Sequence, residues 1–477
     1  MTELHYAVDA DGVATITWDV PEKSMNVMSF QGLQELESGI DAALADDAVK
    51  GVIITSGKPD FAGGMDLNVL AEMRDSAGDN PAQGLFDGIM AMHILLRKIE
   101  LAGMDRKTQK GGKPIAAALP GTAMGIGLEI PLACHRIFAA DNPKAQIGLP
   151  EIKVGIFPGA GGTTRLAWKL GAMAAAPLLL EGKALAPAKA KAAGVIDEVV
   201  PADQLLAAAK AWVLAAKDED LVKGWDKKGY KVPGGTPYSA PGFPTFVGAS
   251  AMIHSNTWGV YPAAKALLSA VYEGLQVPFD TALKIEARWF TSVLMNPSSS
   301  AMIRSLFVNK GALEKGANRP DVPDERVKKV GVLGAGMMGA GIAYVSAAAG
   351  IEVVLLDSTV EAAEKGKSYS TGILDKAIKR GRGTEDKKAK LLGLIKTTAD
   401  YADLEGCDLI VEAVFEDPAV KADVTAKAEA VIPETAIFAS NTSTLPITSL
   451  AQASKRPEQF IGIHFFSPVD KMLLVEI

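Results

Sequence analysis

Cysteine is nearly absent: Cys134 and Cys407 are the only two in 477 residues. This excludes a disulfide framework and a thiolate-built metal cluster, and it fits a reducing, cytoplasmic setting. Histidine is also scarce, and His5, His93, His135, His254 and His464 show none of the short His or Cys spacings of a metal site. The opening residues, MTELHYAVDADG, lack both a basic segment ahead of an apolar run and an Arg-rich amphipathic pattern, so no targeting peptide is read there. Positive charge is not in excess. The net charge of −7 argues against nucleic acid or an anionic membrane as the main partner. Long uninterrupted apolar runs are missing too. Residues 330–351 carry no charge and are numerous enough to span a bilayer, but Gly331, Gly334, Gly336, Gly339 and Gly341 break the stretch and EVVLLD follows it. That is the pattern of a buried strand, a turn and a helix, so no transmembrane segment is expected.

What is present is ordinary globular composition, 48% hydrophobic and 22% charged, in a chain long enough for two or three domains. VATITWD (13–19), GVIIT (51–55), PIAAAL (114–119) and RIFAA (136–140) read as strands, with helical patterns at 33–44 and 85–99 between them. Residues 105–113, DRKTQKGGK, read as an exposed basic loop, and 166–217 as Ala-rich helix. The stretch 229–248 is too dense in Gly and Pro for a regular element, and helices resume at 262–273 and 280–295. GANRPDVPDERVKK (316–329) is polar with two prolines, and strand–helix–strand periodicity starts beyond it. The expected organisation is α/β: a first domain over 1–300 ending in helices, a linker over 301–325, and a second domain over 326–477.

Two constellations carry chemistry. In residues 121–166, Glu129 lies just behind a glycine-rich turn, Glu151 sits in a Leu-Pro-Glu-Ile step, and a second glycine cluster opens another helix. Two carboxylates beside backbone amides freed by glycine are the parts needed to add water across a bond conjugated to a carbonyl. Taken singly, each glutamate reads equally as a surface residue or a helix cap. The second constellation is Gly334-Ala335-Gly336-Met337-Met338-Gly339, placed after a strand, with a second strand ending at Asp357. Such a turn brings a pyrophosphate onto a helix N-terminus, and the acidic residue accepts from ribose hydroxyls, favouring NAD over NADP.

The strings FAGGMDL (61–67), AMGIGLE (123–129), LPEIKVGIFPGAGGTTRL (149–166) and LLLEGKALAPAKAKAAGVIDEVV (178–200) together resemble the crotonase family of CoA-thioester enzymes. The resemblance covers roughly the first 200 residues and implies the crotonase ββα spiral. It also implies an acyl-CoA thioester as substrate. By it, the N–H groups of Gly63 and Ile126 hold a thioester oxyanion, each donor worth about 3–4 kcal/mol to the transition state. Glu129 would activate water for the β-carbon, and Glu151 would protonate the α-carbon. Two departures stand out: Ile126 replaces a glycine of the family's triplet, and Pro131 falls where a regular helix is expected.

DLIVEAVFED (408–417), FASNTSTLPITSLA (438–451) and FIGIHFFSPVDKMLLVEI (460–477) resemble the NAD-binding domain of L-3-hydroxyacyl-CoA dehydrogenases, a Rossmann-type fold. That likeness implies NAD as cofactor, held at Gly334, Gly336, Gly339 and Asp357, with Glu416 on the nicotinamide side and Lys421 on the ribose side. His464 is implied as the base, Glu476 as its supporting carboxylate, and Ser443 as a hydroxyl contacting substrate. Out of context, a histidine beside Phe465 and Phe466 reads as a core residue. The chain ends one residue past Glu476, where the resemblance implies further residues. Together the two likenesses are to the α-subunit type of fatty-acid oxidation multifunctional enzyme, with hydration feeding oxidation and a thiolase as implied partner. A hydratase or isomerase with an inert nucleotide domain, and a non-catalytic acyl-CoA- or NAD-binding assembly subunit, are the alternative readings.

Overall fold

A computed structural model describes residues 1–66, 69, 78–323 and 326–477. Leu67 of the first quoted string and the last two positions of the expected linker lie outside the described residues. The chain forms two compact units, Met1–Arg319 and Pro320–Ile477.

In the first unit the strands are β1 (Leu4–Val8), β2 (Val13–Trp18), β3 (Gly51–Ser56), β4 (Ile115–Leu119), β5 (Ala123–Met124), β6 (Arg136–Ala140), β7 (Ile147–Gly148) and β8 (Glu198–Val200). The main sheet runs β1-β2-β3-β4-β6-β8, antiparallel at β1–β2 and parallel at the other pairings. GVIITS and IAAAL suit its centre because they are apolar or small along their whole length, as strands covered on both faces must be. The helix Phe30–Ala45 starts where the Ser29 hydroxyl accepts the Gly32 N–H at 2.9 Å, and it buries Leu36, Ile40 and Ala43 on one face. Pro81–Leu101 starts the same way, with Asn80 as cap and Pro81 in the first turn, and buries Leu85, Ile89, Met92 and Leu96.

The two-stranded β5–β7 sheet and the isolated bridges Ala62↔Ala123 and Met28↔Met65 then bring the 62–65 turn beside the start of helix Ile126–Ala133. Pro131 lies inside that helix, which ends at Ala133, so its missing N–H is lost from a two-turn element only. A buried ion-pair network ties the helices together. Arg165 and Glu100 pair at 2.9 Å with neither side chain exposed, Glu100 also takes Arg97 at 3.1 Å, and Arg97 reaches Asp226 and Asp280. Each charge is compensated by a neighbour, which is the condition for burying it.

Three expectations change. The Ala-rich stretch 166–217 is not continuous helix: glycines at 171 and 182 and a proline at 187 divide it into Gly162–Leu170, Ala172–Leu179, Pro187–Ala192 and Leu205–Ala215, with β8 between the last two. The helix Phe243–Thr257 starts inside the Gly/Pro-rich segment, because Pro244 occupies its first turn, where no N–H is required. The expected linker 301–325 is helical for its first half. Pro297–Ile303 runs through a π-helical turn, Arg304–Asn309, into Lys310–Glu314. It stays folded because Met302 packs against Gly155, where an added Cβ would sit 2.6 Å from the Met302 sulfur, and Ser299 donates to the Gly155 carbonyl at 2.9 Å.

The second unit holds β9 (Lys329–Leu333), β10 (Glu352–Leu356), β11 (Ile395–Thr398), β12 (Leu409–Glu412), β13 (Ile437–Ser440) and β14 (Phe460–Gly462) in one parallel sheet, order β11-β10-β9-β12-β13-β14. Strand order reverses between β9 and β12, so the connections from their carboxyl ends run in opposite directions, and doubly wound sheets take ligands at such a point. The uncharged 330–351 stretch is β9, a turn and the helix Met337–Ala348. Among the described residues no helix is long and apolar enough to cross a membrane. A final antiparallel hairpin pairs β15 (His464–Phe465) with β16 (Val475–Glu476).

Candidate active site

Helix Ile126–Ala133 begins at Gly125, whose φ of 58° and ψ of −130° turn the chain so that the first helical amides face a cavity of about 300 Å³. A Cβ at residue 125 would stand 3.0 Å from Glu151 Oε1, so the turn admits only glycine. Gly63, Ile126, Glu129 and Glu151 all line this cavity, with Met65, Met92, Ile156, Phe157, Phe290 and Phe307 as apolar wall. The structure therefore brings all four expected residues of the first constellation together.

It alters the role of one. The Gly63 N–H donates to the Asn26 carbonyl at 2.8 Å and is not available to a ligand. Among the described residues the amide of Met65 has no acceptor, and neither does that of Ile126. The Met28↔Met65 bridge explains why: Met28 N–H and Asp66 N–H are paired on either side, leaving the Met65 N–H out of the ladder. The cavity thus offers Met65 and Ile126 as donors, two residues further along the first turn than expected.

Glu129 is buried, 3% exposed, and its Oε1 accepts the N–H groups of Ala160 at 2.9 Å and Gly162 at 2.8 Å. Burial pushes its carboxyl up to about 7, against the pull of those two amides and of Arg165. Glu151 opens a short 3-10 turn, and its Oε2 is buried with no hydrogen-bond partner among the described residues. Burial, and then the nearby Glu129 carboxylate, raise Glu151 well above the usual carboxylate range. The two carboxyls are therefore held apart in proton affinity: one ready to ionise near neutrality, the other kept protonated. Sequence reading missed Glu286, which lies behind the same loop.

In the second unit, Gly334 has φ 89° and a Cβ at Gly339 would come within 1.8 Å of the Gly334 carbonyl oxygen. Open space lies next to Gly336, where an added Cβ would meet nothing within 4 Å. Asp357, just past β10, accepts the Ala335 N–H at 2.7 Å and so fixes the turn. This is a cradle into which a dinucleotide pyrophosphate fits. Gly339→Ala should push the helix off the turn and weaken NAD binding by tenfold or more, measured by calorimetric titration; unchanged affinity would remove the turn from the cofactor site.

His464 Nδ1 and Glu476 Oε2 stand 3.1 Å apart because the β15–β16 register sets the two residues directly opposite. Among the described residues this is the only side-chain hydrogen bond His464 makes, which leaves Nε2 for a ligand. Asn441 Oδ1 accepts the Phe465 N–H at 2.8 Å and anchors the hairpin to the end of β13. Ser443 is exposed on the turn two residues on. Lys421 is a correction. It is 2% exposed, with its ammonium between Glu412 (2.8 Å) and Glu416 (3.1 Å), so it does not offer a cation to a ribose. Its pairing and a hydrogen bond from Thr442 hold Glu416 below the usual range although burial pushes it up, and Glu416 itself remains part-exposed.

The first unit is thus of a class that sets an acid–base pair of carboxylates against free amides, and the second is a dinucleotide-binding unit. Residues 9–221 match enoyl-CoA hydratase/isomerase, and residues 329–477 match the 3-hydroxyacyl-CoA dehydrogenase NAD binding domain. The chain is similar to the fatty acid oxidation complex subunit alpha of Idiomarina loihiensis, 37% identical over 98% of this chain and 64% of that one. The same-named protein of Shewanella halifaxensis is 36% identical with the same coverage. The chain therefore spans about two-thirds (64%) of the length of these curated relatives. Among solved structures, the (S)-3-hydroxybutyryl-CoA dehydrogenase of Ralstonia eutropha is 40% identical over 31% of this chain and 53% of that one, with a TM-score of 0.31.

Proposed function

We propose that the chain hydrates 2-trans-enoyl-CoA thioesters in its first unit and, in its second, supports NAD-dependent oxidation of the resulting 3-hydroxyacyl-CoA, two consecutive steps of fatty-acid β-oxidation. The observation that carries the reading is the single cavity holding Glu129, Glu151 and the unpaired Met65 and Ile126 amides. The thioester oxygen takes the two amides, which stabilise the negative charge that develops as water adds. Glu129, with Oε1 occupied by Ala160 and Gly162, uses its other oxygen to remove a proton from water, whose oxygen bonds to the β-carbon. Glu151 gives its proton to the α-carbon, and the charge on the thioester oxygen collapses back to the carbonyl. One water is consumed and both glutamates return to their starting states by exchange with solvent.

In the second unit Gly334, Gly336, Gly339 and Asp357 would hold NAD, with Glu416 and Ser443 at the reacting end. When bound, NAD would supply the hydride acceptor for oxidation at the hydroxyl-bearing carbon. His464 would take the hydroxyl proton at Nε2 while Glu476 holds Nδ1 and orients the ring. A cytoplasmic location and a thiolase partner, to consume the 3-oxoacyl product, complete the proposal.

Hydration requires Glu129 ionised and Glu151 protonated. Because Glu129 sits at about 7 and burial raises Glu151 well above the usual carboxylate range, activity should climb as pH rises through about 7 and fall again once Glu151 ionises. A kcat/KM profile flat across neutrality would contradict these roles. The two activities are separated by following enoyl-thioester absorbance and NADH together. Loss of the enoyl signal with NADH appearing supports both steps; enoyl loss without NADH leaves the second unit inert. Acyl-CoA binding with neither signal would make the chain a binding subunit.

A further inference from the structure

The loop Gly159–Gly162, which supplies both amides to Glu129, is gripped from its other side by a second buried carboxylate. Glu286 projects from helix Phe279–Leu294, beyond the 9–221 segment that matches the hydratase family, and is fully buried. Its Oε1 accepts the Gly161 N–H at 2.6 Å, and its Oε2 accepts the Thr164 N–H at 2.7 Å and the Thr164 hydroxyl at 2.6 Å. The amides thus alternate along the loop: 160 and 162 to Glu129, 161 and 164 to Glu286. His93, from helix Pro81–Leu101, meets the Gly159 carbonyl at 2.7 Å and lies 3.7 Å from Glu286. Burial holds this histidine down at about 4, so it is neutral. Arg165 closes the loop's far end through the Ala160 carbonyl at 3.3 Å while paired to Glu100. The loop has no slack for an added side chain: a Cβ at Gly161 would fall 1.9 Å from Arg165 Nη1 and one at Gly162 2.7 Å from Glu129 Oε1.

The geometry points to Glu286 as a positioning residue for hydration, one that fixes the direction of the Ala160 and Gly162 amides and through them the orientation of Glu129. Glu286 is not among the residues that line the cavity. Its action is mechanical, since peptide units in a tight loop rotate together: releasing the 161 and 164 amides frees the 160 and 162 amides to tilt away from Glu129. Preorganised donors lose catalytic value quickly when they can reorient. The inference rests on the hydratase reading for its kinetic consequence, but not for its structural one.

The test is Glu286→Gln in the full chain. The amide retains one acceptor, so either the Gly161 or the Thr164 N–H then faces a donor. The expected result is a kcat for crotonyl-CoA hydration lowered about tenfold or more with KM within about threefold, because orientation of the base and not binding is disturbed. Hydrogen–deuterium exchange of the 157–166 segment should accelerate by at least a similar factor while helix Pro81–Leu101 is unchanged. Unchanged kcat with unchanged loop exchange overturns the proposal. Lowered thermal stability with unchanged kcat also overturns it, by showing a purely structural role. If wild type does not hydrate crotonyl-CoA, the hydratase reading fails, and the exchange comparison alone decides whether Glu286 holds the loop. Should Glu286→Gln not fold, Thr164→Val, which removes one of the three donors, should lower kcat severalfold with KM unmoved; no change would count against the proposal.

Discussion

Glu151→Gln is expected to lower the turnover of enoyl-CoA hydration by roughly 10³-fold or more, at the upper end of what a positioned acid–base group supplies. Glutamine keeps the shape of the side chain and cannot deliver a proton to the α-carbon. Binding should persist, because the cavity wall of Met65, Met92, Ile156, Phe157, Phe290 and Phe307 is untouched. The variant should fold at least as well as wild type. Burial already keeps the Glu151 carboxyl protonated, so a neutral amide of the same shape brings no change of charge into the interior. The check is a pair of measurements, steady-state hydration and acyl-CoA titration. Retained turnover would assign the proton to another group.

The second large effect is expected from Ile126→Pro, which deletes a single N–H. Ile126 is the first residue of its helix, where proline is tolerated and no intrahelical hydrogen bond is lost. The preceding Gly125, at φ 58° and ψ −130°, is already outside the right-handed helical region that a following proline disfavours. The substitution should therefore leave the helix in place and remove one of the two oxyanion donors, lowering kcat by about 10²- to 10³-fold. Circular dichroism matching wild type, together with that loss, would isolate the amide as the cause. A proline variant at full activity would show that the thioester oxygen is held elsewhere.

Much of this site was legible in the sequence because its determinants are local. Gly125 before Ile126, the Leu-Pro-Glu-Ile step at Glu151, and the strand–glycine turn–helix around Gly334–Gly339 each state their geometry within a few residues. His464 and Glu476 lie twelve residues apart and meet through one hairpin register. What escaped is what residue type does not encode. Gly63 and Met65 differ in which way a peptide N–H points, and the Met28 bridge that decides this is formed across more than thirty residues. Lys421 looked like a ligand-facing cation until Glu412, on an adjacent strand, was seen to enclose it. Glu286 grips a loop 125 residues earlier in the chain, a separation that no local pattern encodes. The helix through 301–314 was hidden by the polar, proline-bearing stretch that follows it, and it holds Phe307 at the cavity.

The central claim is that water is added to an enoyl-CoA at the Glu129–Glu151 pair. It is tested most directly by incubating the purified chain with crotonyl-CoA in water enriched in oxygen-18 and reading the product by mass spectrometry, beside Glu151→Gln. The account predicts a 3-hydroxyacyl-CoA carrying one heavy oxygen at the β-carbon from the wild type and almost none from the variant. Equal label in both, or none in either, would contradict it.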